Sequence, residues 1–265
     1  KYIQEEIVIP DYEVTDDQVE AEIGKFASAM AATLKQLDTI RQKALVDMGA
    51  DEAAIFEAHM QIAQDPALSD GIKSLVEHSK MNVVAATAQT IETFAAIFIG
   101  MDDPYMRERG ADIKDIGDRL MRNMLGMNPR GLSHISGEVI IVAHDLAPSD
   151  TASLDKNVVK GIVTAAGGPT SHAAIMARTL EIPAVMGVGD IEGFVDGEKA
   201  VVLGTDGIVE TNPSDADWAE YTNQATAYQE ELKRLRESAN LEATTTDGHH
   251  VELFGNIGKS KDAKH

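Results

Sequence analysis

Apolar residues at Val19, Ile23, Phe26, Met30, Leu34, Leu37 and Ile40 recur every three or four positions, the period of a helix with one buried face. Thr15 followed by Gln18 forms a capping-box pattern just ahead of them, so a long amphipathic helix is predicted to start there, after a short extended stretch, Ile7-Val8-Ile9, closed by Pro10. The same period predicts helices over about 51–64, 69–80, 82–98 and 104–125, with breaks at Asp65-Pro66 and Asp103-Pro104 and with Gly126 as a C-cap. Helices this close in sequence imply hairpins packed on one another.

From about Gly131 the pattern changes. Glu138 to Ala143 and Val158 to Thr164 are apolar, β-branched runs separated by a helix start at Pro148-Ser149-Asp150-Thr151. Pro183 to Gly187 and Lys199 to Leu203 are further predicted strands, and Asp206-Gly207 before Ile208-Val209-Glu210 marks a hairpin turn. These elements make a small α/β unit. Asn212-Pro213-Ser214 then starts a last helix to about Leu235, whose Glu and Lys spacing fits a solvated connector, and Val251 to Phe254 is predicted as one more strand.

A chain of 265 residues is long enough for about two domains at roughly 150 residues each. Against 44 Asp and Glu there are only 23 Lys and Arg, a net charge of -21 that reaches -13 with all 8 His protonated, so nucleic acid and anionic membrane are poor partners and a basic protein is a good one. With no Cys, disulfides, thiolate zinc sites and cysteine nucleophiles are excluded, and a cytoplasmic protein is expected. The most apolar stretch, Thr93 to Met101, is shorter than the about 20 residues a membrane helix needs, and the N-terminus lacks a cationic-then-apolar signal pattern.

The chemistry concentrates at Gly167-Gly168-Pro169-Thr170-Ser171-His172, between a predicted strand and the helical pattern Ala173 to Arg178. Two glycines permit a tight corner and close backbone approach to a ligand, and the unpaired first-turn N–H groups of the helix favour an anion. A histidine there is a metal ligand, a base, a phosphoryl acceptor or a structural cap. No second His, Asp or Glu lies at metal-ligand spacing on the same helix, and G-x-S-x-G is absent, so phosphoryl acceptance fits the residues best. Thr170 and Ser171 are helix caps or hydroxyl donors to such a group. Gly255-Asn256-Ile257-Gly258-Lys259-Ser260 looks like the end of a phosphate-binding loop, but Leu253 stands where its first glycine belongs, so no nucleotide site is predicted.

The run from Gly167 to Arg178, continued by Glu181-Ile182-Pro183-Ala184-Val185, resembles the phosphohistidine segment of the phosphoenolpyruvate-utilising enzymes. Ala54-Ile55-Phe56-Glu57-Ala58-His59, Gln64-Asp65-Pro66-Ala67-Leu68, and Glu108-Arg109-Gly110-Ala111-Asp112-Ile113-Lys114-Asp115-Ile116-Gly117-Asp118-Arg119-Leu120 resemble, within that group, enzyme I of the bacterial sugar phosphotransferase system; Asp247 to Gly258 also resembles its junction with a phosphoenolpyruvate-binding barrel.

This resemblance implies an α/β swivelling phosphohistidine subdomain (1–14 with 127–213), an inserted all-α helical subdomain that binds the phosphocarrier HPr (15–126), a connector helix (214–241) and a truncated barrel start or tail (242–265). It implies that His172 is the phosphohistidine nucleophile, with Thr151 fixing its ring and Thr170, Ser171, Gly167 and Gly168 around the phosphoryl group. HPr is expected to contact Glu57, His59, Ile62, Asp65, Leu68 and Arg109. The implied function is phosphoryl relay from phosphoenolpyruvate to HPr in sugar uptake. No cofactor is expected in the fragment, Mg2+ accompanying phosphoenolpyruvate in the full-length enzyme; the fragment is expected to be a monomer and the full-length protein a homodimer. A dikinase-like swivelling domain and a non-catalytic helical binding module remain as alternatives.

Overall fold

The computed structural model describes residues 7–127, 135, 137–169, 171–238 and 241–252. A single 3-10 turn at Asp16–Gln18 leads into α1, Val19–Asp47, and its capping box is formed by Thr15 and Gln18 as the pattern predicts. Four more helices follow: α2 Ala50–Ala63, α3 Pro66–Ser79, α4 Val83–Ile99 and α5 Pro104–Leu125. Asp65 caps α3 by accepting from Ala67 N at 2.8 Å, and Asn82 caps α4 by accepting from Ala85 N at 2.9 Å. Pro66 therefore opens α3, three residues ahead of the predicted start, because a proline at the first helical position forfeits no hydrogen bond.

Residues 10–14 are strapped to this bundle. Asn82 Nδ2 donates to Pro10 O at 2.8 Å, and Glu22 on α1 accepts from the Tyr12 hydroxyl at 2.9 Å and from Val83 N at 2.8 Å. One carboxylate thus joins the strap, α1 and the exposed N–H end of α4.

Beyond the helices, β1 Val139–Ala143, α6 Pro148–Ala152, β2 Val159–Thr164, α7 His172–Thr179 and β3 Ala184–Met186 form two β-α-β crossovers in a parallel sheet of order β1-β2-β3. The antiparallel hairpin of β4 Ala200–Leu203 and β5 Ile208–Thr211 turns at Asp206-Gly207, as the sequence predicts. α8, Asp215–Ser238, is anchored to that hairpin at its start, where the Tyr221 hydroxyl donates to Glu210 at 2.7 Å and Lys199 lies 5.1 Å from the Trp218 ring. The strand predicted over Val251 to Phe254 does not form at Val251 and Glu252; the chain makes an isolated Thr244–His250 bridge instead, and Phe254, with the loop-like Gly255 to Ser260, lies outside the described residues.

Two apolar cores organise these layers. One is helical, with Phe26, Leu68, Ile72, Val76, Val83, Ile91, Ile113, Ile116 and Leu120. The other joins Leu37, Ala44, Met48, Ala53 and Phe56 to Ile141, Leu154, Val159, Ile162, Met176 and Leu180 of the sheet and its helices. α1, 29 residues long, extends about 44 Å at 1.5 Å per residue, so its apolar stripe runs through the helical core and on beneath the sheet. Lys43 extends that junction by donating to the Ala152 and Leu154 carbonyls at 3.0 and 2.9 Å, at the C-terminal end of α6.

Candidate functional site

The loop between β2 and α7 is clamped on both flanks. Ala165 N and Ala166 N donate to Ala143 O and His144 O at 3.0 and 2.8 Å, while Gly187 N donates to Thr164 O at 2.9 Å after β3. Gly167 sits at φ +92°, a conformation that a side-chain-bearing residue adopts only under strain, and a Cβ at Gly187 would stand 3.0 Å from the Gly167 carbonyl. Ser171 N then donates to Gly168 O at 3.1 Å, and the Ser171 hydroxyl caps α7 by accepting from Ala174 N at 3.2 Å. The result places His172 at the first position of α7, with its side chain 26% exposed.

His172 faces a cleft of about 220 Å³ whose opposite walls are Asp51, Ala54, Ile55 and Ala58 of α2 and Arg109 and Asp112 of α5. The Asp112 carboxylate is only 3% exposed. Its Oδ1 lies 4.0 Å from His172 Nδ1 and 3.1 Å from Nε2 of His59, and its Oδ2 lies 3.9 Å from Arg109 Nη1. His59 is fully buried, edge-on to Phe56 at 5.7 Å, and its Nδ1 is 3.9 Å from Asp115 Oδ2. Neither His59 nitrogen nor Asp112 Oδ1 makes an aligned hydrogen bond among the described residues. α7 is held to this wall at its far end, where the Thr179 hydroxyl donates to Glu52 at 2.9 Å.

Of the residues singled out in the sequence, Gly167, Gly168, Ser171 and His172 come together at one corner, and Thr170 lies outside the described residues. Thr151 is fully buried on α6 and turns its hydroxyl to Ala147 O at 3.2 Å; no hydrogen bond joins it to His172. On the expected docking face, Glu57 and Asp65 are exposed, Ile62 is half-buried and Arg109 lines the cleft. His59 and Leu68 are 0% and 2% exposed, which corrects their expected contact with a partner: Leu68 fills the helical core and His59 is enclosed beneath Asp112. Asp112 and Asp51 were not singled out. The available signal was the i, i+3 spacing of Arg109 and Asp112 on a helix whose next turn carries core residues Ile113 and Ile116.

Among the described residues no three His, Asp or Glu converge as a metal site. Nor is any described helix long and apolar enough to cross a membrane.

The fold and this corner together define a class. Residues 2–109 match the family described as PEP-utilising enzyme, N-terminal, and residues 135–207 match PEP-utilising enzyme, mobile domain. The phosphoenolpyruvate-protein phosphotransferase of Enterococcus faecalis is 41% identical over 261 residues, covering 97% of this chain and 45% of that protein; that of Haemophilus influenzae is 37% identical over 98% and 45%. The chain therefore spans under half the length of these relatives. A solution structure of Enzyme I (nEIt) superposes with a TM-score of 0.72 at 38% identity, over 85% of this chain and 91% of that one. The N-terminal domain of Enzyme 1 - Nitrogen shares the fold, with a TM-score of 0.56 at 24% identity over 83% and 92%. The chain belongs to the Enzyme I family of PEP-utilising enzymes.

Proposed function

We propose that His172 accepts a phosphoryl group derived from phosphoenolpyruvate and passes it to the phosphocarrier HPr. The observation that carries this reading is the placement of a partly exposed imidazole at the first position of α7, behind a glycine corner and facing a cleft in the helical wall. In the loading step the Nε2 lone pair of His172 attacks phosphorus, the bond to the donor oxygen breaks, and the departing oxygen keeps its electron pair. In the unloading step the HPr imidazole attacks in line, the P–Nε2 bond breaks, and the pair returns to Nε2. Gly167 and Gly168 leave the approach open, and Ser171 supplies a hydroxyl group beside the helix N-terminus, a role the family resemblance assigns to Thr170 as well. The site for phosphoenolpyruvate is assigned to the part of the longer relatives that this chain does not match.

HPr is assigned to the helical unit, with exposed Glu57 and Asp65, half-buried Ile62 and Arg109 as its contacts. A basic partner suits the net charge of -21.

The test mixes this chain with phosphorylated HPr and measures intact mass and acid-labile phosphate, beside His172→Ala. One phosphoryl group on the wild type and none on the variant is expected. A folded wild type that takes up nothing overturns the relay and leaves the dikinase-like or binding-module readings.

A further inference from the structure

Asp112 presents a buried oxygen, without an aligned hydrogen bond, to two histidine rings at once. Its burial is costly unless it serves as an acceptor, and three groups able to balance its charge surround it: His59 Nε2 at 3.1 Å, Arg109 Nη1 at 3.9 Å and His172 Nδ1 at 4.0 Å. Beyond them the nearby charges are Asp51 in the same cleft and Asp115, which faces the far nitrogen of His59. His59 is fully buried on the other side of the carboxylate, and His172 is the ring that reaches it from the cleft. Thr151, the other candidate for the His172 ring, donates its hydroxyl to Ala147 O and makes no hydrogen bond with His172, although its oxygen keeps the capacity to accept one.

We propose that Asp112 is the positioning residue of His172: its carboxylate accepts the Nδ1 proton and so leaves the lone pair on Nε2, the atom that attacks phosphorus. The inference rests on the relay reading above and adds the group that orients its nucleophile. For this the 4.0 Å separation must close to a hydrogen bond by rotation of the His172 side chain in the free protein, ahead of any binding event. The same contact acts on the phosphorylated ring. When the P–Nε2 bond breaks, the electron pair returns to Nε2 and the retained Nδ1 proton makes the departing group a neutral imidazole rather than an imidazolate anion.

The placement of this residue has a second meaning. Asp112 belongs to α5 while His172 belongs to α7, so the ring is oriented only when α7 lies against the α2–α5 wall. The proposed carrier binds that same helical unit. Orientation of the nucleophile and docking of the recipient thus require one arrangement, and a ring swung away from the wall is not held in its transfer tautomer by Asp112.

Nitrogen-15 NMR of the His172 ring, recorded on the free protein, tests this beside phosphoryl transfer from phosphorylated HPr. Wild type is expected to carry its proton on Nδ1. Asp112→Asn is expected to populate the Nε2-protonated form and to slow transfer about tenfold or more, the low end for groups that orient a reacting ligand. Thr151→Ala is expected to keep the wild-type tautomer. An unchanged tautomer and rate in Asp112→Asn overturns the proposal, and so does loss of the tautomer in Thr151→Ala. The Thr151→Ala arm decides even where Asp112→Asn does not fold. The ring measurement needs no carrier, so a wild type that shows the tautomer but takes up no phosphoryl group counts against the relay and not against the contact.

Discussion

The Ser149 hydroxyl donates to Asp115 Oδ1 at 3.0 Å, and both residues are buried, one at the start of α6 and the other on α5. This bond ties the α/β layer to the helical wall behind the cleft. Ser149→Ala withdraws a donor from a buried carboxylate, which costs about 1–3 kcal/mol. Chemical denaturation followed by circular dichroism should show that loss; an unchanged midpoint would mean that water replaces the hydroxyl.

Gly117 on α5 lies under Ile91 of α4, and a Cβ there would stand 2.7 Å from both Ile91 Cγ atoms. Gly117→Ala forces the two helices apart and is expected to destabilise by about 1–3 kcal/mol. Gly24 on α1 has no heavy atom within 4 Å of an added Cβ, so Gly24→Ala is expected to stabilise by about 0.5–1 kcal/mol through helix propensity alone. Thermal melts of the pair would separate crowding from backbone effects, since the substitution is the same.

At Gly167 the obstacle is conformation, because an added Cβ meets nothing closer than 3.7 Å while φ is +92°. Gly167→Ala either holds this strain, at about 1–3 kcal/mol, or relaxes the corner and displaces His172. A lower transfer rate with a retained fold is expected. A variant matching wild type in both stability and transfer would show that the corner tolerates a side chain.

Partial burial and the neighbouring Glu22 carboxylate, which accepts its hydroxyl proton, raise the Tyr12 phenol above its ordinary 10.0. A raised value in the folded chain means that the folded form retains the proton longer. The associated stability is therefore complete below pH 10 and lost as pH rises through the raised value. Ultraviolet titration should show late ionisation shared with Tyr221, which its hydrogen bond to Glu210 also raises, and Tyr12→Phe should remove the Tyr12 part of that late step together with its share of the alkaline loss of stability.

Legibility in the sequence followed the range of the interactions. The caps at Asp65 and Asn82, the period of α1 and the glycine corner before His172 depend on neighbours within a few residues, and each is visible as a local pattern. Asp112 is not visible in this way. In sequence it is one more acid on an amphipathic helix, and what buries it comes from α2 and α7, about 50 to 60 residues away on either side. His59 and Leu68 were misplaced for the same reason: α2 and α3 turn their apolar faces toward helices whose positions a one-dimensional pattern does not contain. Val251 shows the converse, since its β-forming pattern yields only the Val251 N to Ala243 O bond beside the isolated Thr244–His250 bridge, and no strand forms at Val251 and Glu252.

The passage of α1 through both cores also governs how the molecule comes apart. Phe26 and Ala29 belong to one cluster and Leu37, Ala44 and Met48 to the other, on a single uninterrupted helix. Melting either end removes a wall from the core it lines and frays the helix toward the other, so the two layers share one cooperative unit instead of opening separately. Expressing the helical segment or the α/β segment alone would leave one of them without the strut on which its apolar face was built.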